Sequence, residues 1–308
     1  MVEFLEDAGA VSKIADWVKP EQIKNINVIA NEFCKKGIEE LNELKFVEAL
    51  RNFRKAVNLI PSYVGAMHNS LAQSIGPSED WGKFIFSMQL VRLVNPDYEI
   101  ARENLAIAYL NHGVEIAKSG KYEESITIFH QALGVEASQE VITLIKENIA
   151  ASYSALGIQA FRNGDMKRSL ALFRSAHFIA SNEMTRRNFA KAHFHFGNFC
   201  SNTGDMKNAI YSYQLAEDAG LMLPEVLNNH ACALADSGQF TGAMMLLETA
   251  LMLSPDDEII KSNLSKLIEI SQVPAPDVKT LRRNLITEGS EIDFLSPPMN
   301  TVGLHVAV

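Results

Sequence analysis

The stretch GDMKRSLALFRSA begins at Gly164, and forty residues later, at Gly204, the chain runs GDMKNAIYSYQLA. The first four letters coincide, and a small residue, an aromatic residue and a closing alanine fall at the same offsets. A chain that repeats at this interval is constrained to be an array, because one unit cannot bury its apolar face alone and the next unit covers it. The length of 308 residues, 47% of them apolar, would otherwise suggest two ordinary domains. An array grows one unit at a time and replaces that count.

Further copies are KFVEALRNFRKAVNLIP, GKYEESITIFHQALGVEA and GQFTGAMMLLETALMLSP, with a degenerate one in DWGKFIFSMQLVRLVNP. Aligned, they share a small residue at Ala49, Ser125, Ser169, Ala209 and Ala243. Four residues on stands a large one (Phe53, Phe129, Phe173, Tyr213, Leu247), and three further an alanine (Ala56, Ala132, Ala176, Ala216, Ala250). Offsets of four and three lie on one helical face, so this is the buried stripe of a helix. Twelve residues before each small residue comes a second marker: Gly37, Gly113, Gly157, Gly197 and Ala231. These lie inside apolar helical patterns, which predicts a close contact between the first helix of each unit and the face of the second. Each unit is therefore helix, short turn, helix.

In these markers the chain resembles the tetratricopeptide repeat family, most closely in NNHACALADSGQFTGAMMLLETALMLSP. The resemblance covers about residues 27–272, some six units and an end helix, and implies an all-α fold, a right-handed α-solenoid with one concave and one convex surface. Residues 1–26 are expected to cap the array, with Pro20 suited to the first turn of a helix, and residues 273–308 to form a flexible tail. One departure matters. The family's unit is 34 residues, whereas Ser125, Ser169 and Ala209 are spaced 44 and 40.

Apolar periodicity runs unbroken through ENLAIAYLNHG, ENIAASYSALG and RNFAKAHFHFG, which assigns the extra length to first helices. Asn104, Asn148 and Asn188 each stand nine residues before their glycine; Asn69, Asn111, Asn229 and Asn263 hold the place two before the marker. The seven-residue difference is two turns with only ~20° of drift, so both sets point the same way. If first helices line the inner surface as in the family, these asparagines face the groove. An amide offers donor and acceptor together, matching the N–H and C=O of a peptide. The alternative is that each amide bonds the adjacent helix or is merely solvated. Asn188, Lys191, His195, Asn198 and Asn202 form one polar stripe. His193 and His195 diverge by about 200° on a helix, so they cannot chelate one metal together; His193 is expected to pack and His195 to face the groove.

The chain is acidic, with a formal net charge of −9, yet residues 146–207 hold nine Lys/Arg against four acids. That segment is +5 and the remainder −14. Arg162, Lys167, Arg168, Arg186 and Arg187 form the candidate basic patch, which favours an acidic partner unless the charges only solvate the outer surface. The balance argues against nucleic acid. The family's chaperone-tail clamp is not matched either: Cys34 and Ile38 stand where its first lysine and asparagine belong, and only Asn69 survives.

The tail segment EGSEIDFLSPP sets acids beside an apolar anchor of Ile292, Phe294 and Leu295, a short linear motif for a partner or for the protein's own groove over residues 288–298. The segment DVKTLRRNLI reads as a short helix. No phosphate loop, dinucleotide fingerprint or hydrolase motif occurs, so no enzyme, metal or cofactor is expected. An acidic N-terminus, three dispersed cysteines and no long apolar run point to a cytoplasmic protein without a membrane span. The function expected is a non-catalytic adaptor that binds a peptide segment of a partner in its groove. The alternative is a scaffold that self-associates, as a homo-oligomer, through its ends or convex face.

Overall fold

A computed structural model describes residues 20–43, 45–65, 67–69, 81–272, 285, 287, 293–296 and 298–302. Among them all regular structure is helical. The helices are α1 (Pro20–Asn42), α2 (Phe46–Leu59), α3 (Trp81–Val94), α4 (Glu99–Lys118), α5 (Tyr122–Leu133), α6 (Gln139–Arg162), α7 (Met166–Ile179), α8 (Glu183–Thr203), α9 (Met206–Asp218), α10 (Pro224–Asp236), α11 (Phe240–Leu253) and α12 (Glu258–Ser271). The cap expected over residues 1–26 lies outside the described residues up to position 19, and α1 runs from Pro20 through position 27. The short helix read in DVKTLRRNLI also falls outside them, apart from Leu285.

The chain forms two compact units, Met1–Ile145 with Asn300–Val308, and Lys146–Met299. In the first, α1 packs on α2, α3 on α4 and α4 on α5; in the second, α7 packs on α8, α8 on α9, and so on in chain order to α12. Successive helices packed each on the next make an α-solenoid. The long repeats place their extra residues in first helices: α4, α6 and α8 have 20, 24 and 21 residues, while α10 has 13.

The glycine markers have a steric cause. A Cβ built on Gly37, Gly113, Gly157 or Gly197 would lie 2.7, 2.5, 2.9 or 2.6 Å from the ring of Phe53, Phe129, Phe173 or Tyr213. Each ring is fully buried, so it has no room to retreat. In the unit that carries Ala231 in place of glycine, the facing residue is the smaller Leu247. Ser169 adds a polar contact at this crossing, donating its hydroxyl to the Gly157 carbonyl at 2.9 Å.

The repeated Gly-Asp is a turn with two jobs. Gly164 and Gly204 have φ of 77° and 84°, a left-handed conformation that glycine adopts without the usual Cβ penalty. Asp165 and Asp205 then cap the next helices, accepting from the N–H of Arg168 at 3.1 Å and of Asn208 at 3.3 Å. The core of the last repeats is one apolar cluster of Leu227, Ala231, Leu247, Ala250, Ile260 and Leu267, against which Leu285 of the tail also rests.

Candidate functional site

Helix α8 is fixed at both ends. Asn182 and Thr185 form a reciprocal capping box, and Gly204 ends the helix. This holds Asn188, one full turn past the cap, in a position where it is completely buried. Its amide nitrogen donates to the carbonyl of Leu295 at 2.8 Å, and its Oδ1 accepts the N–H of the same residue at 2.8 Å. One side chain thus satisfies both main-chain groups of one tail residue. One turn along, the Lys191 ammonium donates to the carbonyl of Asp293. Burial, with help from the Arg187 charge, lowers the Lys191 pKa, and Asp293 partly offsets the shift.

Between these two contacts Phe294 enters an aromatic pocket. Its ring stacks on Phe173 of α7 at 4.3 Å, meets the edge of Phe161 of α6 at 5.0 Å and lies 5.4 Å from the His195 ring of α8. Phe161 and His195 are themselves 4.6 Å apart. Leu295, read in the sequence as part of the apolar anchor, is 37% exposed: its main chain is held while its side chain stays open to solvent. Ile292 lies outside the described residues.

The other unit contains a second clamp of the same kind. Asn111 of α4 donates to the Val302 carbonyl at 2.8 Å and accepts the Val302 N–H at 3.1 Å. Asn104, two turns earlier on α4, is buried with its amide 2.9 Å from Nε2 of His68. Asn69 is half-buried in the helical residues 67–69, and Asn148 is buried on α6.

Elsewhere in the second unit the asparagines join helices. Asn198 accepts from the Tyr213 hydroxyl at 2.7 Å and from Asn229 at 3.1 Å. Asn263 of α12 donates to Asn228 at 2.9 Å. Asn202 is exposed. His193 is buried against Phe189 at 4.5 Å, on a different side of α8 from His195. Desolvation, reinforced by Arg174, lowers its pKa to about 4.

Of the five basic-patch residues, Arg162, Lys167 and Arg168 are exposed on α6 and α7. Arg186 and Arg187 both pair with Glu183, whose carboxyl they hold below its usual range, Arg186 contributing most. Arg186 also donates to the Ala219 carbonyl at 3.0 Å. Their charge is therefore shared within the protein.

Sequence reasoning missed Phe161. It stands four residues after Gly157, a place that Leu41, Ala117, Ser201 and Ala235 hold in the other units. An aromatic residue alone in a column of smaller ones was the available signal, but apolar periodicity absorbed it into the core pattern.

The tetratricopeptide repeat profile matches residues 224–257, the α10–α11 hairpin in which Ala231 faces Leu247. That hairpin is a tetratricopeptide repeat. No characterised relative matches the sequence of the chain. Among solved structures, the P58(IPK) tetratricopeptide repeat domain is 15% identical over 79% of this chain and 65% of its own, with a TM-score of 0.34. The Cut9–Hcn1 tetramer of APC/C is 16% identical over 80% and 46%, at 0.31. The TPR2AB domain of yeast Sti1, solved with pHSP90, is 13% identical over 83% and 98%, at 0.27. The chain thus spans less than two thirds of the length of these first two structures. None of its described helices is long and apolar enough to cross a membrane.

Proposed function

We propose that this protein is a non-catalytic adaptor that binds an extended, acidic segment of a partner protein along the first-helix face of α8. The observation that carries this reading is the two-point contact between Asn188 and the main chain of Leu295. A buried amide that pairs with both main-chain groups of one residue recognises polypeptide without regard to its side chains, with each hydrogen bond contributing about 1 kcal/mol. Lys191, drawn partly out of water beside Asp293, supplies the preference for acidic neighbours. Within the other unit Asn111 makes the same two-point contact with Val302, and on α6 and α7 Arg162, Lys167 and Arg168 add positive charge. Cys34, Cys200 and Cys232 are buried thiols outside any disulfide, which suits a reducing compartment, and we read the protein as cytoplasmic.

The test is an array of acidic and neutral peptides probed with the full-length chain and with a variant carrying Asn188→Ala and Lys191→Glu. Binding of acidic peptides that disappears in the variant, with an unchanged sedimentation coefficient, supports the adaptor. Equal binding by both chains contradicts it. Phe178, Met245 and Met252 on second helices are 90%, 63% and 82% exposed, and they favour the alternative of a self-associating scaffold. A scaffold would lose its oligomeric state on Phe178→Ser with Met252→Ser, and the adaptor would not.

A further inference from the structure

Something already sits where a partner would. Residues 293–296 belong to the protein itself, and they use every feature of the site: main chain on Asn188 and Lys191, ring in the pocket. We infer that this segment is a tethered competitor, and that the partner segment which displaces it presents an aromatic side chain one residue before the position gripped by Asn188. The inference rests on reading the α8 face as a peptide site, and it names the ligand class that site selects.

The selectivity follows from what surrounds Phe294. Three rings from three helices, Phe161, Phe173 and His195, face it at 4.3 to 5.4 Å. One stacked, one edge-on and one tilted neighbour give the stacked and edge-on geometries that aromatic groups prefer, worth about 0.5–1.5 kcal/mol per pair beyond area burial. A main-chain clamp cannot choose among sequences, so discrimination falls to this pocket. The tail supplies the fitting residue once: Phe294 is the only Phe, Tyr or Trp after Phe240. Phe161, which completes the pocket, is the only aromatic residue in its column of the repeat. Pocket and plug are each singular, and they meet.

Tethering makes the competition strong. A competitor carried on the same chain acts intramolecularly, at an effective concentration in the millimolar range, so a partner with micromolar affinity for the open site is weakened by a large factor. The C-terminal segment thereby sets a threshold that only a partner of higher affinity or local abundance crosses.

The experiment uses full-length chains and a fluorescein-labelled peptide of residues 288–299, read by fluorescence anisotropy. Two variants release the tethered copy without altering the helices. Phe294→Ala removes the plug, and Leu295→Pro removes the N–H that Asn188 accepts. Both are expected to bind the peptide at least about tenfold more tightly than the wild-type chain. Adding Phe161→Ala or Asn188→Ala to either variant should abolish the gain, and a peptide carrying Phe294→Ala should fail to bind. Equal affinity of wild type and both release variants, still dependent on Asn188, overturns the tethered competitor and leaves the peptide site standing. Tight binding of the peptide that lacks the ring overturns the aromatic selectivity. Absence of binding to every chain overturns the peptide site as well.

Discussion

Asn188 of α8 and Asn229 and Asn263 of α10 and α12 belong to one stripe of first-helix positions, nine and two residues before their markers, yet they do different work. Asn188 grips the main chain of Leu295, whereas Asn263 is bonded to Asn228 and Asn229 to Asn198. An amide with two donors and two acceptor sites serves either use. The choice is made by what lies against it: a passing segment at Asn188, the first helix of the preceding repeat at Asn229 and Asn263. A column of identical residues in a repeat protein is therefore a shared capability, and its use varies from unit to unit.

Stability separates the two uses most sharply. Asn263→Ala removes the donor to a fully buried Asn228 and should lower the unfolding free energy by about 1–3 kcal/mol, seen as a lower denaturant midpoint with unaltered peptide binding. A helix-joining amide that proved dispensable would erase the distinction.

Acid should have the next largest effect. With the His193 pKa lowered to about 4 by burial and by Arg174, the unfolded chain takes up a proton below about pH 6.5 that the folded chain refuses until about 4. Stability is then fully present above that window and falls as the pH drops through it. His68, beside Asn104, is shifted the same way by burial. A melting temperature lower by about 3 °C or more at pH 4.5 than at pH 7 is expected, and His193→Phe should flatten the profile.

Asn188→Ala should cost less, under about 1 kcal/mol, because release of the tail lets water reach the vacated groups. Arg187→Ala should change stability by no more than about 0.5 kcal/mol, since its pair with Glu183 is exposed. A large loss in either would place α8 with the helix-joining class.

The same comparison explains what could be read in the sequence. The glycine–aromatic contacts, such as Gly197 with Tyr213, join residues sixteen apart in each of the four units that carry them, so the repeat displays them as a fixed offset. The lengthened first helices were legible from unbroken periodicity through ENIAASYSALG. The partners of the amides were not. Asn229 and Asn263 reach residues 31 and 35 positions away, and Asn188 and Asn111 reach 107 and 191. No local pattern encodes such distances, and the same residue type satisfies both outcomes. Phe294 was visible as an anchor, but Leu295 beside it was misjudged, because an apolar letter does not reveal whether side chain or main chain is held.

The most direct measurement is hydrogen exchange of the tail in the intact protein, followed by mass spectrometry of peptides spanning residues 293–302. Amide clamps at Leu295 and Val302 predict exchange slower than that of a free chain, restored to the free rate at Leu295 by Asn188→Ala and at Val302 by Asn111→Ala. Exchange at the free rate in the wild-type protein would contradict the claim that these asparagines hold polypeptide.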